Sequence, residues 1–313
     1  MSQQSTDRLT ELLSTALGTD IGALLDDHRV SEVRLNSDGS LWAHKLGIGK
    51  IKEKAFIAPE NAKRAIQTVA FSVGEVCNEE NPSISAELPG SGQRFQGVIP
   101  PVVKSPVIAI RKKAVRIFTL LDMETQGVLP KGARVLLEQS VLNKKNILVV
   151  GGTDSGKTTF TNALLQIVSK TKDRIVIIED TQELQCDAED VEYLRTRDGV
   201  CSLRDLVRTT MRLSPDRIVI GEVRSAEALD LLKAWNTGHS GGVSTVHASS
   251  AKKGLSRIEQ LVSEANVSPS REMIAEAINI IVYMEKVGKK RIVKEITEVK
   301  GVKEGVYDCE QLY

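Results

Sequence analysis

Asn146-Ile-Leu-Val-Val-Gly-Gly-Thr-Asp-Ser-Gly-Lys-Thr-Thr159 is the stretch on which the fold is decided. A continuous apolar run of this length, not an alternating one, is what a strand buried on both faces of a parallel sheet requires. Glycines follow at once, and then a helical pattern in which Phe160, Ala163, Leu164, Ile167 and Val168 share one face. The spacing Gly151-x4-Gly156-Lys157-Thr158 between strand and helix predicts a phosphate-binding loop. Its glycines let backbone N–H groups turn toward phosphate oxygens, and the helix N-terminus adds partial positive charge. Gly151, Gly152, Thr153, Asp154, Ser155, Gly156, Lys157, Thr158 and Thr159 are therefore the expected nucleotide cradle. Lys157 is expected to reach the β- and γ-phosphates, and the Thr158 hydroxyl to ligate Mg²⁺.

Downstream the pattern repeats. Arg174-Ile-Val-Ile-Ile178 and Arg217-Ile-Val-Ile220 are further buried strands, and Val243 to Val246 is a weaker fourth. Alternation of such strands with helices predicts an open α/β sheet, whose ligands sit beyond the carboxyl ends of the strands. Acids stand at two of those ends, in Glu179-Asp-Thr-Gln-Glu183 and in Gly221-Glu222-Val-Arg224. One carboxylate is needed to help hold Mg²⁺ and another to orient or deprotonate the attacking water. His239 and His247 flank the fourth run, and a γ-phosphate-sensing or subunit-coupling role is expected of them. Arg195, Arg197, Arg204, Arg208 and Arg212 crowd the stretch between the acids, and one is expected to act on a neighbouring subunit's nucleotide.

Residues 1–115 have a different texture. Leu9, Leu12, Leu13, Ala16 and Leu17 mark one face of an amphipathic helix, and a short second helix is expected after Gly18. Val30 to Leu35 and Leu41 to Leu46 are expected strands about the turn Asn36-Ser-Asp-Gly39, and Pro59 opens a helix. The reading is thus a smaller α+β domain over 1–115, a linker over 116–130 and a P-loop domain over 131–313. Lys286 to Lys303, with its Gly288 turn, is expected as a β-hairpin whose lysines form a solvated face or meet anionic lipid or a partner.

Composition narrows the class. The 42 basic and 41 acidic residues nearly cancel, which argues against a general electrostatic grip on nucleic acid and hence against a DNA translocase. No direct nucleic-acid binding is expected. The four cysteines lie far apart without CxxC spacing and are expected as reduced thiols of a cytosolic protein. The N-terminal Met1 to Asp7 is polar, without the apolar core of a signal peptide, and no run approaches the length of a membrane span. Membrane association is expected only through partners. An Asn-Lys-x-Asp tetrad for guanine is missing, so ATP is the expected nucleotide.

These residues together resemble the secretion ATPases that drive type II and type IV secretion and pilus assembly. Gly-Gly-Thr-x-Ser-Gly-Lys-Thr-Thr159 is similar to that superfamily's Walker A, Glu179-Asp-Thr-x-Glu-Leu184 to its Asp box, Arg212-x-x-Pro-Asp216 with Gly-Glu-Val-Arg224 to its Walker B, and Thr-Gly-His239 through His247-Ala248 to its His box. Ala86-Glu-Leu-Pro89 and Arg94-Phe to Arg111-Lys112 extend the likeness into the first half. The resemblance implies a RecA-like ATPase domain with a mainly parallel sheet, in a homo-hexameric ring on the cytoplasmic face of the inner membrane. That ring would serve a conjugative type IV secretion system, with its cytoplasmic and inner-membrane components as partners, in pilus and mating-channel assembly. It further implies that Arg94 or Arg111 touches phosphates, and that Glu222 and an Asp-box acid (Glu179 first, Glu183 second) share Mg²⁺ and water duties. Asp154 departs from the family, which carries a small residue there; a carboxylate in a phosphate loop is expected to weaken ATP binding unless it turns outward.

Overall fold

The computed structural model describes residues 3–112, 117–197 and 199–313. The chain divides into two compact units, residues 1–115 and 116–313. Residues 113–116, where the expected junction of domain and linker falls, lie outside the described residues.

In the first unit the order is α1 (Gln3–Asp26), β1 (Val30–Leu35), β2 (Ser40–Lys45), β3 (Gly49–Phe56), α2 (Pro59–Ser72), β4 (Ser83–Glu87), β5 (Arg94–Val98) and β6 (Val107–Arg111). The strands form an antiparallel sheet in the order β3-β2-β1-β6-β5-β4. α1 is broken at Gly18, whose φ of 80° and ψ of 166° no helix accommodates. Its buried stripe is Leu13, Leu17 and Ile21, whereas Leu12, expected on that face, is 50% exposed. The expected face is thus buried at Leu13 and Leu17 and continues to Ile21, with Leu12 at its margin. Leu13, Leu17 and Ile21 pack with Ala62, Ile66 and Val69 of α2 and Val33, Phe95 and Ile110 of the sheet.

The second unit runs α3 (Leu120–Thr125), α4 (Lys131–Leu142), β7 (Ile147–Gly151), α5 (Lys157–Val168), β8 (Ile175–Glu179), β9 (Val191–Arg195), α6 (Leu203–Thr210), β10 (Arg217–Ile220), α7 (Glu227–Asn236), β11 (Val243–Val246), α8 (Ala251–Ser263), α9 (Arg271–Ala277), β12 (Ile280–Val287), β13 (Lys290–Lys303) and β14 (Val306–Gln311). Its sheet has the order β14-β13-β12-β7-β11-β10-β8-β9. The strands from β12 to β9 are parallel, and β13 and β14 add antiparallel to one edge. The apolar runs are continuous because both faces are covered. Leu148, Val150, Val176, Ile178, Ile218 and Ile220 pack toward α6–α9 on one side. Ile147, Val149, Ile175, Ile177 and Val219 meet Leu137, Phe160 and Leu164 on the other.

Residues 117–130 pack into the second unit and do not behave as a linker. Thr119 caps α3 through a reciprocal box with Asp122, and Leu120, Met123 and Leu129 are buried in the core beneath α4 and α5. β9 is a further addition. It is an edge strand whose Val191 and Tyr193 pack on one face and Leu194 on the other, and the Tyr193 hydroxyl bonds the backbone of Cys186.

Candidate nucleotide site

The parallel strands deliver their carboxyl ends to one edge: Gly151 from β7, Glu179 from β8, the Gly221–Glu222 turn from β10 and His247 from β11. Beyond β7 the backbone curls through Asp154, at φ 59°, and Gly156, at φ 93°, before α5 begins. Gly151 is obligatory: a Cβ there would stand 2.4 Å from Ser155 Oγ and 2.6 Å from the Met284 carbonyl. Gly152, Thr153 and Asp154 are exposed at the tip of the loop, while Ser155 is buried and Thr159 faces outward.

Several features fit this loop to an anion. α5, like α4, starts with neither a side-chain cap nor an acid in its first turn, whereas Thr119, Ser202, Ser250 and Ser270 cap α3, α6, α8 and α9. Its N-terminal dipole is left for a ligand. Ser155 Oγ is buried and has no partner among the described residues. Lys157 is only 8% exposed, and its ammonium donates to the loop's own carbonyls, Gly151 at 2.9 Å and Gly152 at 3.0 Å. Burial lowers its pKa, with Glu222 opposing and Arg224 adding to the shift. Such a desolvated cation on weak acceptors favours a phosphate that reaches it.

The acids divide by environment. Glu179 is buried, and its carboxylate accepts from the backbone N–H groups of Glu183 and Leu184, both at 3.0 Å. Gly221 gives it room, since a Cβ there would meet Glu179 Cγ at 2.8 Å. Glu179 thus fastens the loop that carries Glu183. Glu183 Oε2 accepts from the Thr158 hydroxyl at 3.3 Å, and Asn162 grips the same loop at Glu183 O and Gln185 N. Glu183 thus faces the Thr158 hydroxyl, and Glu179 holds the backbone that carries Glu183. Among the described residues no cluster of three or more His, Cys, Asp or Glu is poised for a metal. A hydroxyl with one nearby carboxylate suits Mg²⁺, which keeps water and takes phosphate oxygens to complete its shell.

Glu222 is engaged at both oxygens, by His247 Nε2 at 3.0 Å and by an Arg224 guanidinium nitrogen at 2.7 Å. Arg224 also meets Asp180 at 3.1 Å. The pKa of His247 is lowered by burial and by Lys157, with Glu222 pulling the other way. These residues line a cavity of about 350 Å³ with Val223, Val246 and Arg257.

His239 is not part of this group. It precedes β11, so it lies at the amino edge of the sheet while His247 follows at the carboxyl edge. Four residues of strand separate them, roughly 13 Å of rise before any loop is added. Sequence proximity to a strand does not say which of its ends a residue occupies. Of the arginines between the acids, Arg204 and Arg208 are spent on Asp230 at 2.6 and 3.0 Å. Arg197 lines a second cavity with Asp180, and Arg212 is exposed. In the first unit Arg94 and Arg111 stand directly opposite each other on β5 and β6, with Glu32 opposite Arg111 on its other side. Sequence reasoning passed over Asn162, Arg257, Lys286 and Arg291. Only the last two carried any signal, as part of a lysine-rich hairpin.

A phosphate loop on a mainly parallel sheet, with acids at neighbouring strand tips, defines a P-loop ATPase. Residues 76–311 match the pattern of the Type II/IV secretion system protein family, and the chain belongs to that family. It is 42% identical over 309 residues to the conjugal transfer protein TrbB of Rhizobium radiobacter, covering 98% of this chain and 95% of the relative. It is 32% identical to the type IV secretion system protein PtlH of Bordetella pertussis, over 82% of this chain and 86% of that one. Among solved structures, the pilus retraction motor PilT with bound ADP has the same fold, at a TM-score of 0.65 and 20% identity over 93% of this chain and 82% of that one. The Legionella pneumophila ATPase DotB gives 0.63 and 17% over 87% and 78%.

Proposed function

We propose that the protein hydrolyses ATP with Mg²⁺ to power conjugative type IV secretion, including pilus biogenesis and mating-pair formation. The observation that carries the hydrolytic reading is Lys157, a buried ammonium on its own loop's carbonyls at the head of an uncapped helix. In this reading the loop amides and Lys157 take the β- and γ-phosphates. Thr158 and Glu183 hold Mg²⁺, with Glu222 reaching it through water, and bound Mg²⁺ neutralises charge that builds on the phosphates. Glu222 orients and deprotonates the attacking water once Arg224 or His247 releases one of its oxygens. His247 then reports the state of the γ-phosphate edge. His239, at the other edge, serves coupling between subunits.

The assignment to conjugation rests on the 42% likeness to a conjugal transfer protein along nearly the whole chain. The working form in this reading is a homo-hexamer at the cytoplasmic face of the inner membrane, held there by secretion-system partners. No helix among the described residues is long and apolar enough to cross a membrane. Light scattering on a sizing column with and without ATP, alongside turnover, tests both parts. Steady hydrolysis lost in Glu222→Gln, with a ring-sized species, is expected; a monomer that never turns over ATP contradicts the proposal.

A further inference from the structure

The carboxylate at the tip of the phosphate loop has two partners from the far end of the chain. Asp154 Oδ1 accepts from Arg291 at 2.6 Å and Oδ2 accepts from Lys286 at 2.5 Å. The Arg291 Nε–H also donates to the Asp154 carbonyl at 3.3 Å. The stem of Arg291 lies along the last glycine of the loop, since a Cβ on Gly156 would stand 3.6 Å from Arg291 Cβ and Cγ. Lys286 and Arg291 belong to β12 and β13, and they face each other directly across that hairpin. Two like charges opposite each other in an antiparallel pair repel. An anion between them removes the repulsion, and Asp154 is that anion. The pairing holds the Asp154 pKa below its ordinary value, against the effect of its own partial burial.

We propose that Lys286 and Arg291 are the outer wall of the nucleotide site, and that Asp154 occupies them as a built-in stand-in for phosphate. The inference rests on the ATPase reading above and deepens it. In this proposal a polyphosphate seated on the loop amides draws on the same two cations, which already reach the loop at Asp154 and beside Gly156, so nucleotide and Asp154 compete for them. Binding then shifts the hairpin's cations from carboxylate to phosphate, and release returns them. In such an arrangement Asp154 weakens nucleotide binding chiefly by sequestering two cations, not by facing the phosphates itself. The hairpin becomes a part of the chain whose contacts report whether the loop is filled.

Equilibrium binding of a fluorescent ATP analogue to the full chain separates these two effects. Asp154→Gly is expected to tighten binding about tenfold, as two surface-level charge interactions freed for phosphate would. Its affinity is expected to fall more steeply with salt than that of the parent. Adding Lys286→Ala and Arg291→Ala to Asp154→Gly is expected to abolish the gain. Lys286→Arg in the same background is expected to keep it, and Asp154→Asn, nearly isosteric, serves as a second carboxylate-free variant should the glycine loosen the loop. A gain that survives removal of both cations overturns the inference and leaves simple repulsion by Asp154. Unchanged affinity in both Asp154→Gly and Asp154→Asn overturns it as well. Failure of the parent and every variant to retain nucleotide, with thermal melts showing all of them folded, sinks the ATPase reading and this inference together.

Discussion

Lys157 and His247 show how burial sets the chemistry of single side chains here. Lys157 is desolvated and, among the described residues, bonded only to carbonyls of its own loop, which are weak acceptors for a charge that a phosphate would satisfy better. Lys157→Ala is expected to lower ATP turnover by about two to three orders of magnitude while leaving the thermal midpoint of the ligand-free protein unchanged or raised. A loss of fold instead would show the lysine to be structural. His247 gives a pH signature. Its folded-state pKa lies below the ordinary 6.5 because burial and Lys157 disfavour the imidazolium. Between that pKa and 6.5 the unfolded chain binds more protons than the folded one, so stability rises with pH across the window. The contribution is complete above 6.5 and is lost as pH falls through the folded-state pKa. His247→Gln keeps an N–H for Glu222 without titrating, so its melting curve should approach that of the parent as pH drops below 6.5. Parallel pH dependences for the two proteins would remove His247 from the account.

At the scale of elements, α5 and the strand it follows carry the site. Leu164 of α5 is fully buried among β-strand side chains and α4. Leu164→Ala is expected to destabilise the second unit by about 2–5 kcal/mol, measured as a lower urea midpoint with unchanged slope. A change under about 1 kcal/mol would mean that the site collapses around the lost methyls. β7, β8 and β10 were legible because burial on both faces writes an uninterrupted apolar run, β11 less so because Ser244 and Thr245 interrupt it, and the loop after β7 was legible because its chemistry is local. β9 was not legible. It is covered on one edge only, and Glu192 and Arg195 break its pattern. α3 was missed because six residues are too few to show a period, although Thr119-x-x-Asp122 carries the signature of a capped start. The partners of Asp154 stand 132 and 137 residues away, a distance over which no local pattern speaks. The backbone amides that hold the Glu179 carboxylate were likewise hidden, because such contacts leave no mark on side-chain spacing.

On the scale of the whole molecule, the two compact units have unlike architectures, an antiparallel sheet under two helices and a mainly parallel sheet between helical layers. Each has its own core, so the second unit should melt as a cooperative body whose midpoint rises with bound nucleotide. A hundredfold excess of ATP over its dissociation constant is expected to add about 2.7 kcal/mol. The N-terminal unit, which holds none of the loop or the acids, should respond less in hydrogen exchange at saturating nucleotide. Equal protection of both units would show that nucleotide acts on the chain as one body. All of this depends on the phosphate loop taking nucleotide through Lys157. The most direct measurement is saturation binding of radiolabelled ATP to the folded, purified chain with Mg²⁺, run beside Lys157→Ala. Saturable retention by the parent and its loss in the variant are expected; no retention by the parent, or equal retention by both, contradicts the account.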